Sequence, residues 1–310
     1  MSKTLVAFGA TGQQGGSIVD FVLNDPELSK AYTVRGITRD PASASAQKLQ
    51  GRGVEVVAGD VDKPDSLPAA LANAHTVFIV TNSIYDDQIK QRELRQVKAV
   101  ADAAMAAGAQ YLIFSTCVAA ERLYGRPVPG FDSKAEVEAY LRTLPIKSAF
   151  FAPGMFMQNF LSYSAPQPVP GQDGTYAIAN VIAPDARHPL IDTVGDSGKY
   201  VGAILADPDK YVGKVLHAST GLYTYRQVAE IITRVTGKNT IYAQIPKETW
   251  AGYMPPGTAE ALTAMMEFIE EPGYYGPETE ALVAETAQQA RGKLTTFEEF
   301  VEKHKAELFP

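Results

Sequence analysis

Gly9, Gly12 and Gly15 stand three residues apart in Gly9-Ala10-Thr11-Gly12-Gln13-Gln14-Gly15-Gly16. Ahead of them lies the apolar run Thr4–Phe8, a candidate buried strand. Behind them lies Ser17–Leu23, whose apolar residues recur at helical spacing. Strand, glycine turn, helix is the context in which a chain cradles phosphate. Gly9 lets the chain turn sharply out of the strand. Gly12 lets the backbone approach a pyrophosphate that a Cβ would strike. Gly15 lets the helix close on the sheet. Free N–H groups and the positive end of the helix dipole then bind the anion. The alternative is a tight turn with no ligand.

The next chemistry-bearing residue is Arg39. Strand two, Tyr32–Thr38, ends in Thr38-Arg39, where a fold that prefers NAD carries an acid on the ribose hydroxyls. An acid there would repel a 2′-phosphate. A guanidinium pairs with that phosphate through two parallel hydrogen bonds, and Thr38 adds a hydroxyl. The tip therefore points to NADP(H); the alternative is a solvated charge beside Asp40. Asp60, after a third strand, either accepts from an adenine amino group or is a plain loop residue. Asp62 is expected to cap a helix starting near Pro64. Gln158 and Asn159 are polar in an apolar stretch, and either face a nicotinamide amide or cap a helix.

These residues need elements to position them. Helices are expected over 42–50, 87–107, 132–141 (with Asp132 or Ser133 as cap) and 194–206. Strands are expected over 54–58, 76–81, 110–116, 146–152 and 214–218, the last returning to the main sheet. Thr224-x-x-Gln227 and Thr296-x-x-Glu299 are capping boxes, opening helices that run to Gly237 and over 298–308. Residues 164–174 are rich in Pro and Gly and read as a loop or lid. Strands alternating with helices imply an α/β fold: a Rossmann-type doubly wound parallel sheet with a smaller α/β C-terminal lobe. The aromatic residues between Trp250 and Tyr275, around Pro255-Pro256-Gly257, read as core filling of that lobe, the alternative being a pocket wall or protein-binding face.

Composition narrows the function. The chain has 310 residues, 45% of them hydrophobic, and a net charge of −7 with no basic block, which disfavours a nucleic-acid groove. Cys117 is the single cysteine, so no intrachain disulfide forms. Four scattered histidines offer no metal cluster. Met1-Ser2-Lys3 runs straight into the first strand without a signal peptide, and no apolar run is long enough for a membrane span. A cytoplasmic protein is expected, with nuclear residence open.

Six stretches in order resemble the NmrA-like family, atypical members of the extended short-chain dehydrogenase/reductase superfamily, and especially its NADPH-sensing type. They are Gly9–Gly16, Thr38-Arg39-Asp40-Pro41, Gly59-Asp60, Phe78–Asn82, Phe131–Glu138 and Pro153–Asn159. The similarity runs nearly end to end. It implies an NADP-binding Rossmann domain over 1–153, completed by elements from about 190–220, and a substrate or partner lobe over 154–310. It implies NADP(H) between them. Gly9, Thr11, Gly12, Gln13, Gln14 and Gly15 would hold the pyrophosphate, and Thr38 and Arg39 the 2′-phosphate. Thr81, Asn82 and Lys134 would line the nicotinamide ribose. Phe156, Gln158 and Asn159 would close over the nicotinamide end, and Arg95 falls where a basic cofactor contact can occur.

The chain departs from the superfamily in its acid. The usual pattern is Tyr-x-x-x-Lys, with the tyrosine passing a proton to or from substrate. Lys134 is present, but four residues earlier stands Gly130. Tyr124 is the nearest other phenol in sequence, in a Gly/Pro loop; Ser115 and Thr116 end strand five. Two functions follow. One is a cofactor-sensing regulator that signals to a protein partner. The alternative is an NADPH-dependent reductase of a small apolar carbonyl, quinone or imine with an unconventional proton donor.

Overall fold

The computed structural model describes residues 2–255 and 257–309. The expectations placed on Met1 and Pro256 lie outside the described residues. In chain order the first half runs β1 (Lys3–Phe8), α1 (Gln13–Asn24), α2 (Leu28–Ala31), β2 (Tyr32–Thr38), α3 (Ala44–Gln50), β3 (Glu55–Ala58), α4 (Leu67–Leu71), β4 (Thr76–Ile79), α5 (Ile89–Ala106), β5 (Tyr111–Ser115), α6 (Ala120–Tyr124), α7 (Pro129–Leu141) and β6 (Lys147–Pro153). The second half runs β7 (Met155–Phe156), β8 (Gln167–Pro168), β9 (Thr175–Asn180), β10 (Arg187–Ile191), α8 (Thr193–Ala206), β11 (Val215–Ala218), β12 (Gly221–Thr224), α9 (Tyr225–Thr236), β13 (Asn239–Gln244), α10 (Lys247–Ala251), α11 (Thr258–Glu270), α12 (Thr279–Ala287) and α13 (Phe297–His304).

Seven parallel strands form the central sheet in the order β11-β6-β5-β4-β1-β2-β3. Both faces are covered, so its central strands are mostly apolar and buried, while the edge strand β3 is partly exposed. Leu5 and Ala7 of β1 enter one core with α1 and α8; Val6 and Phe8 enter the other with α5 and α7. The strand order reverses between β1 and β4, which opens a crevice at their carboxyl ends, where ligands bind in such sheets. Helix α8 comes from the second half but lies on this sheet against α1. Gly198 N–H donates to Ser17 Oγ at 2.9 Å, and a Cβ at Gly198 or Gly202 would fall on Phe21. Two three-stranded sheets, β12-β10-β7 and β13-β9-β8, carry the remainder.

The expected elements recur with shifted ends. Helix α1 starts at Gln13 rather than beyond Gly16, so Gly15 lies inside its first turn. Helix α7 starts at Pro129; Asp132 lies inside it, its carboxylate accepting from Glu121 N and Val128 N at 2.8 and 2.7 Å, and neither Asp132 nor Ser133 is the cap. Asp62 caps nothing: its Oδ1 accepts from Gln96 at 3.0 Å and Arg95 at 3.4 Å, a surface use for Arg95 as well. Both capping boxes form, and β11 returns to the main sheet beside β6. Trp250, Phe268, Tyr274 and Tyr275 are buried in one core, whereas Tyr253 is exposed. Among the described residues no helix is long and apolar enough to cross a membrane, and no acidic, His and Cys cluster could hold a metal ion.

His188 on β10 gives this core an acid weakness. It is fully buried against the Tyr225 ring at 4.6 Å, and neither ring nitrogen has a well-formed hydrogen bond, the backbone of Ala186 offering a weak one. Burial pushes it down to about 4. An unfolded histidine titrates near 6.5, so the unfolded state binds the extra proton between those values. Stability should therefore fall as pH drops through that window, by about 2 kcal/mol at pH 5 relative to pH 7 from this group alone. Urea unfolding at both pH values should show the loss, and His188→Phe should reduce it. An unchanged pH slope in that variant would exclude His188 as the source.

Candidate functional site

The crevice is lined first by the glycine turn. Gly9 has φ +66, and a Cβ there would lie 2.9 Å from Val80 Cγ1. Its carbonyl accepts from Gly12 N at 2.8 Å. Gly12 precedes α1 in extended conformation, and no side chain caps the helix or puts an acid in its first turn. Thr11, Gly12 and Gln13 are exposed. A helix N-terminus left bare in this way presents N–H donors and dipole to an anion. Gln14 is held from across the sheet, its Oε1 accepting from Ser115 Oγ at 2.7 Å. That bond also occupies the Ser115 hydroxyl.

At the tip of β2, Thr38 is half-buried and its Oγ accepts from Asp40 N at 3.3 Å. Arg39 is exposed and makes no ion pair among the described residues, whereas Arg35 on the same strand is bound by Glu55 at 2.8 Å. Asp60 is half-buried at the next strand end. Its Oδ1 accepts from Asp62 N at 3.0 Å, and Lys63 Nζ stands 3.8 Å from Oδ2.

The other wall begins past β4, which stops at Ile79 and releases Val80 and Thr81 earlier than expected. Thr81 Oγ1 is buried without a hydrogen-bond partner among the described residues. A buried hydroxyl left so is costly and indicates a missing partner. Asn82 beside it is exposed. Lys134 Nζ donates to Ser83 Oγ at 2.6 Å and to both oxygens of Glu93 at 2.9 and 3.0 Å; Ser83 and Ser133 donate to the same carboxylate at 2.8 and 3.2 Å. The Glu93 side chain is 1% exposed and that of Lys134 12%. An ammonium has three N–H donors. If Ser83 and Glu93 take one each, one remains for a ribose hydroxyl.

Gly130, one helical turn before Lys134, is not backed by empty space. A Cβ there would lie 2.9 Å from Cε1 and 3.1 Å from Oη of Tyr85. Burial, with smaller contributions from Cys117 and Glu93 nearby, raises the Tyr85 phenol to about 12. Burial also lifts the Cys117 thiol to about 12, so it is no thiolate nucleophile at neutral pH. Tyr124 ends α6 and faces elsewhere: its hydroxyl accepts from Arg126, whose guanidinium covers the ring at 4.2 Å and binds Glu267 of α11.

Phe156 is half-buried on β7 beside Ile191. Gln158 has both ends of its amide engaged, donating to Asp192 Oδ1 at 2.6 Å and accepting from Thr193 N at 3.0 Å. It pins this segment to the start of α8. Asn159 is half-buried, and its backbone carbonyl accepts from Ser162 N and Ser164 N at 3.1 and 2.8 Å.

Two side chains at this site were missed in the sequence. Glu93 had a signal: it interrupts the apolar stripe Ile89, Val97, Val100, Ala104 on α5, all buried, and a buried acid needs a cation. Tyr85 had none, because its approach to Gly130 joins two elements distant in the chain.

A bare helix start at a sheet's switch point, with an exposed guanidinium one strand away, is an arrangement suited to a phosphate-bearing ligand in an α/β protein. The chain belongs to the NmrA-like family, whose pattern matches residues 1–301. It is 29% identical to the NmrA-like family domain-containing oxidoreductase ptmS of Penicillium ochrochloron, over 88% of this chain and 85% of that one. Among solved structures it is similar to NmrA, a negative transcriptional regulator, in complex with NADP: TM-score 0.80, 24% identity, 97% of this chain and 95% of the other. It is also similar to Citrobacter triphenylmethane reductase complexed with NADP(H): TM-score 0.75, 21% identity, 97% and 99%.

Proposed function

We propose that this chain binds NADP(H) in the crevice and uses it to reduce a small electrophilic substrate. The observation that carries the reading is the uncapped start of α1 at the switch point, with Arg39 exposed at the neighbouring tip and in no ion pair among the described residues. Gly9, Thr11, Gly12, Gln13, Gln14 and Gly15 would hold the pyrophosphate, Thr38 and Arg39 the 2′-phosphate, and Asp60 the adenine amino group. Thr81 would give its unpartnered hydroxyl to the nicotinamide ribose, with Asn82 and the spare N–H of Lys134. Phe156 and Asn159 would close the nicotinamide end, while Gln158 fixes their segment to α8. The bound cofactor supplies hydride. The protein orients the substrate, excludes water and provides a proton. Residues 1–153, with α8 and β11, would form the cofactor lobe and the rest the substrate lobe. Relatives named as oxidoreductases and a reductase of the same fold support this reading.

The test is titration calorimetry with NADPH, NADP⁺ and NADH, then NADPH consumption against aldehydes, ketones, quinones and imines. Charge-assisted hydrogen bonds contribute about 1.5–3 kcal/mol. Arg39→Ala should thus weaken NADPH roughly 10- to 100-fold and leave NADH nearly unchanged. Equal losses for both would remove Arg39 from the 2′-phosphate.

The Lys134–Glu93 pair favours a second reading. The lysine charge is already matched within the protein, so the crevice can fill without doing chemistry. On that reading the chain is a cofactor-responsive regulator, and a fold shared with an NADP-bound transcriptional regulator supports it. Ligand must then favour one state over another. Hydrogen exchange over residues 164–174 should change on saturation with NADPH; no change there, with no turnover, would sink it.

A further inference from the structure

We infer that Tyr85 is the proton donor of this site, its phenol standing in from the loop after β4 for the tyrosine that α7 lacks at Gly130. The inference rests on the reductase reading above.

Position carries it. A tyrosine at 130 would have to start where the Tyr85 ring already lies. Glycine at 130 is what admits that ring. The loop that bears Tyr85 leaves the cradle directly, since Val80 packs on Gly9. It is then clamped to α7, because Ser83 accepts from Lys134 Nζ at 2.6 Å. The phenol thus sits one helical turn from the lysine, as in Tyr-x-x-x-Lys, but arrives from another element.

The hydroxyl is also available. Several other sheltered tyrosines spend theirs on backbone carbonyls: Tyr111 on Pro208 at 2.8 Å, Tyr200 on Ser219 at 2.7 Å, Tyr274 on Pro153 at 3.1 Å and Tyr275 on Ala152 at 2.8 Å. The Tyr85 hydroxyl has no such partner among the described residues, although the residue is half-buried. A hydroxyl not spent within the protein is free to donate to a bound substrate.

The carbonyl carbon of an aldehyde or ketone receives hydride, and with it two electrons, from the reduced nicotinamide. The C=O π bond breaks, and the oxygen takes the phenolic proton. An alcohol, oxidised cofactor and the Tyr85 phenolate result; water returns the proton, leaving hydroxide. The groups around the phenol are Glu93 from α5, Cys117 after β5, Lys134 through Ser83, and Tyr274. Burial and the Glu93 charge keep it protonated at neutral pH. The alkoxide formed from an aldehyde or ketone is basic enough to take a proton from so weak an acid.

The first experiment labels tyrosine rings with ¹³C and assigns Tyr85 through Tyr85→Phe. Its resonance should move when NADP⁺ is added and stay when 2′-phospho-ADP-ribose, which lacks the nicotinamide, is added instead. A resonance indifferent to NADP⁺ overturns the inference, whatever the protein reduces. The second measures aldehyde reduction: Tyr85→Phe should lower kcat on the order of 100- to 10,000-fold with the NADPH Kd unchanged. If the wild type reduces aldehydes and Tyr85→Phe matches it, Tyr85 falls and the reductase reading stands. If the wild type binds NADPH and reduces no aldehyde, ketone, quinone or imine, both fall.

Discussion

Truncating Glu93 to alanine should lower the unfolding free energy by about 3–5 kcal/mol, the usual effect of breaking a buried ion pair from one side. The Glu93 carboxylate is 1% exposed and takes hydrogen bonds from Lys134, Ser83 and Ser133. Without it the Lys134 ammonium, 12% exposed, has one hydroxyl partner and no counter-charge. Two charges replaced together leave nothing unpaired, so Glu93→Leu/Lys134→Met should recover most of the loss. Urea unfolding of the four proteins gives the coupling directly. A single variant as stable as wild type would mean that the pair is more solvated than its burial indicates. The double variant also reports on function: it keeps the fold and removes the N–H assigned to the ribose, so NADPH should bind more weakly to a protein of near-normal stability.

The fold was legible because its signals are local. Glycine spacing, apolar strands and capping boxes each lie within a dozen residues, and the same physics shapes them in the folded chain. Element ends were less legible. Helix α1 starts at Gln13 because the turn needs only Gly9 in the left-handed region; Gly15 is demanded by packing, not by a turn. Helix α7 starts early because Pro129 suits a first helical turn, and Asp132 then serves the N–H groups of Val128 and Glu121. The residues proposed for the phosphate side could be named from sequence, since that role asks only for backbone N–H groups and one guanidinium. The nicotinamide side could not. There Lys134 meets Glu93 across 41 positions, and the phenol that Gly130 lacks is supplied by Tyr85. Gln158, read as facing cofactor or capping a helix, donates to Asp192 and accepts from the N–H of Thr193 at the start of α8, a contact across 35 positions. Such pairings depend on how helices settle against one another, which a single sequence does not display.

Gly15→Ala should damage both the fold and the cradle, and Gly12→Ala should damage the cradle alone. A methyl at Gly15 falls on the Gly9 carbonyl and 2.8 Å from the Phe8 carbonyl oxygen. Both are backbone atoms. Gly9 cannot yield, since it is set at φ +66 against Val80 and its carbonyl already accepts from Gly12. Helix α1 cannot slide, since Ile18, Val19 and Val22 are fully buried and Ser17 is bonded to α8. Overpacking of this kind costs about 1–3 kcal/mol or more. It also moves the N–H donors off the phosphates, and losing charge-assisted bonds worth about 3 kcal/mol weakens NADPH roughly 100-fold. A methyl at Gly12 meets only the Gly9 carbonyl oxygen, at 3.3 Å, on an exposed residue of ordinary φ. That variant should melt near wild type while its methyl projects into the pyrophosphate path. Thermal melts without ligand, paired with NADPH calorimetry, separate the two effects. Normal NADPH affinity in both variants would place the cofactor elsewhere and leave the glycine turn a matter of packing alone.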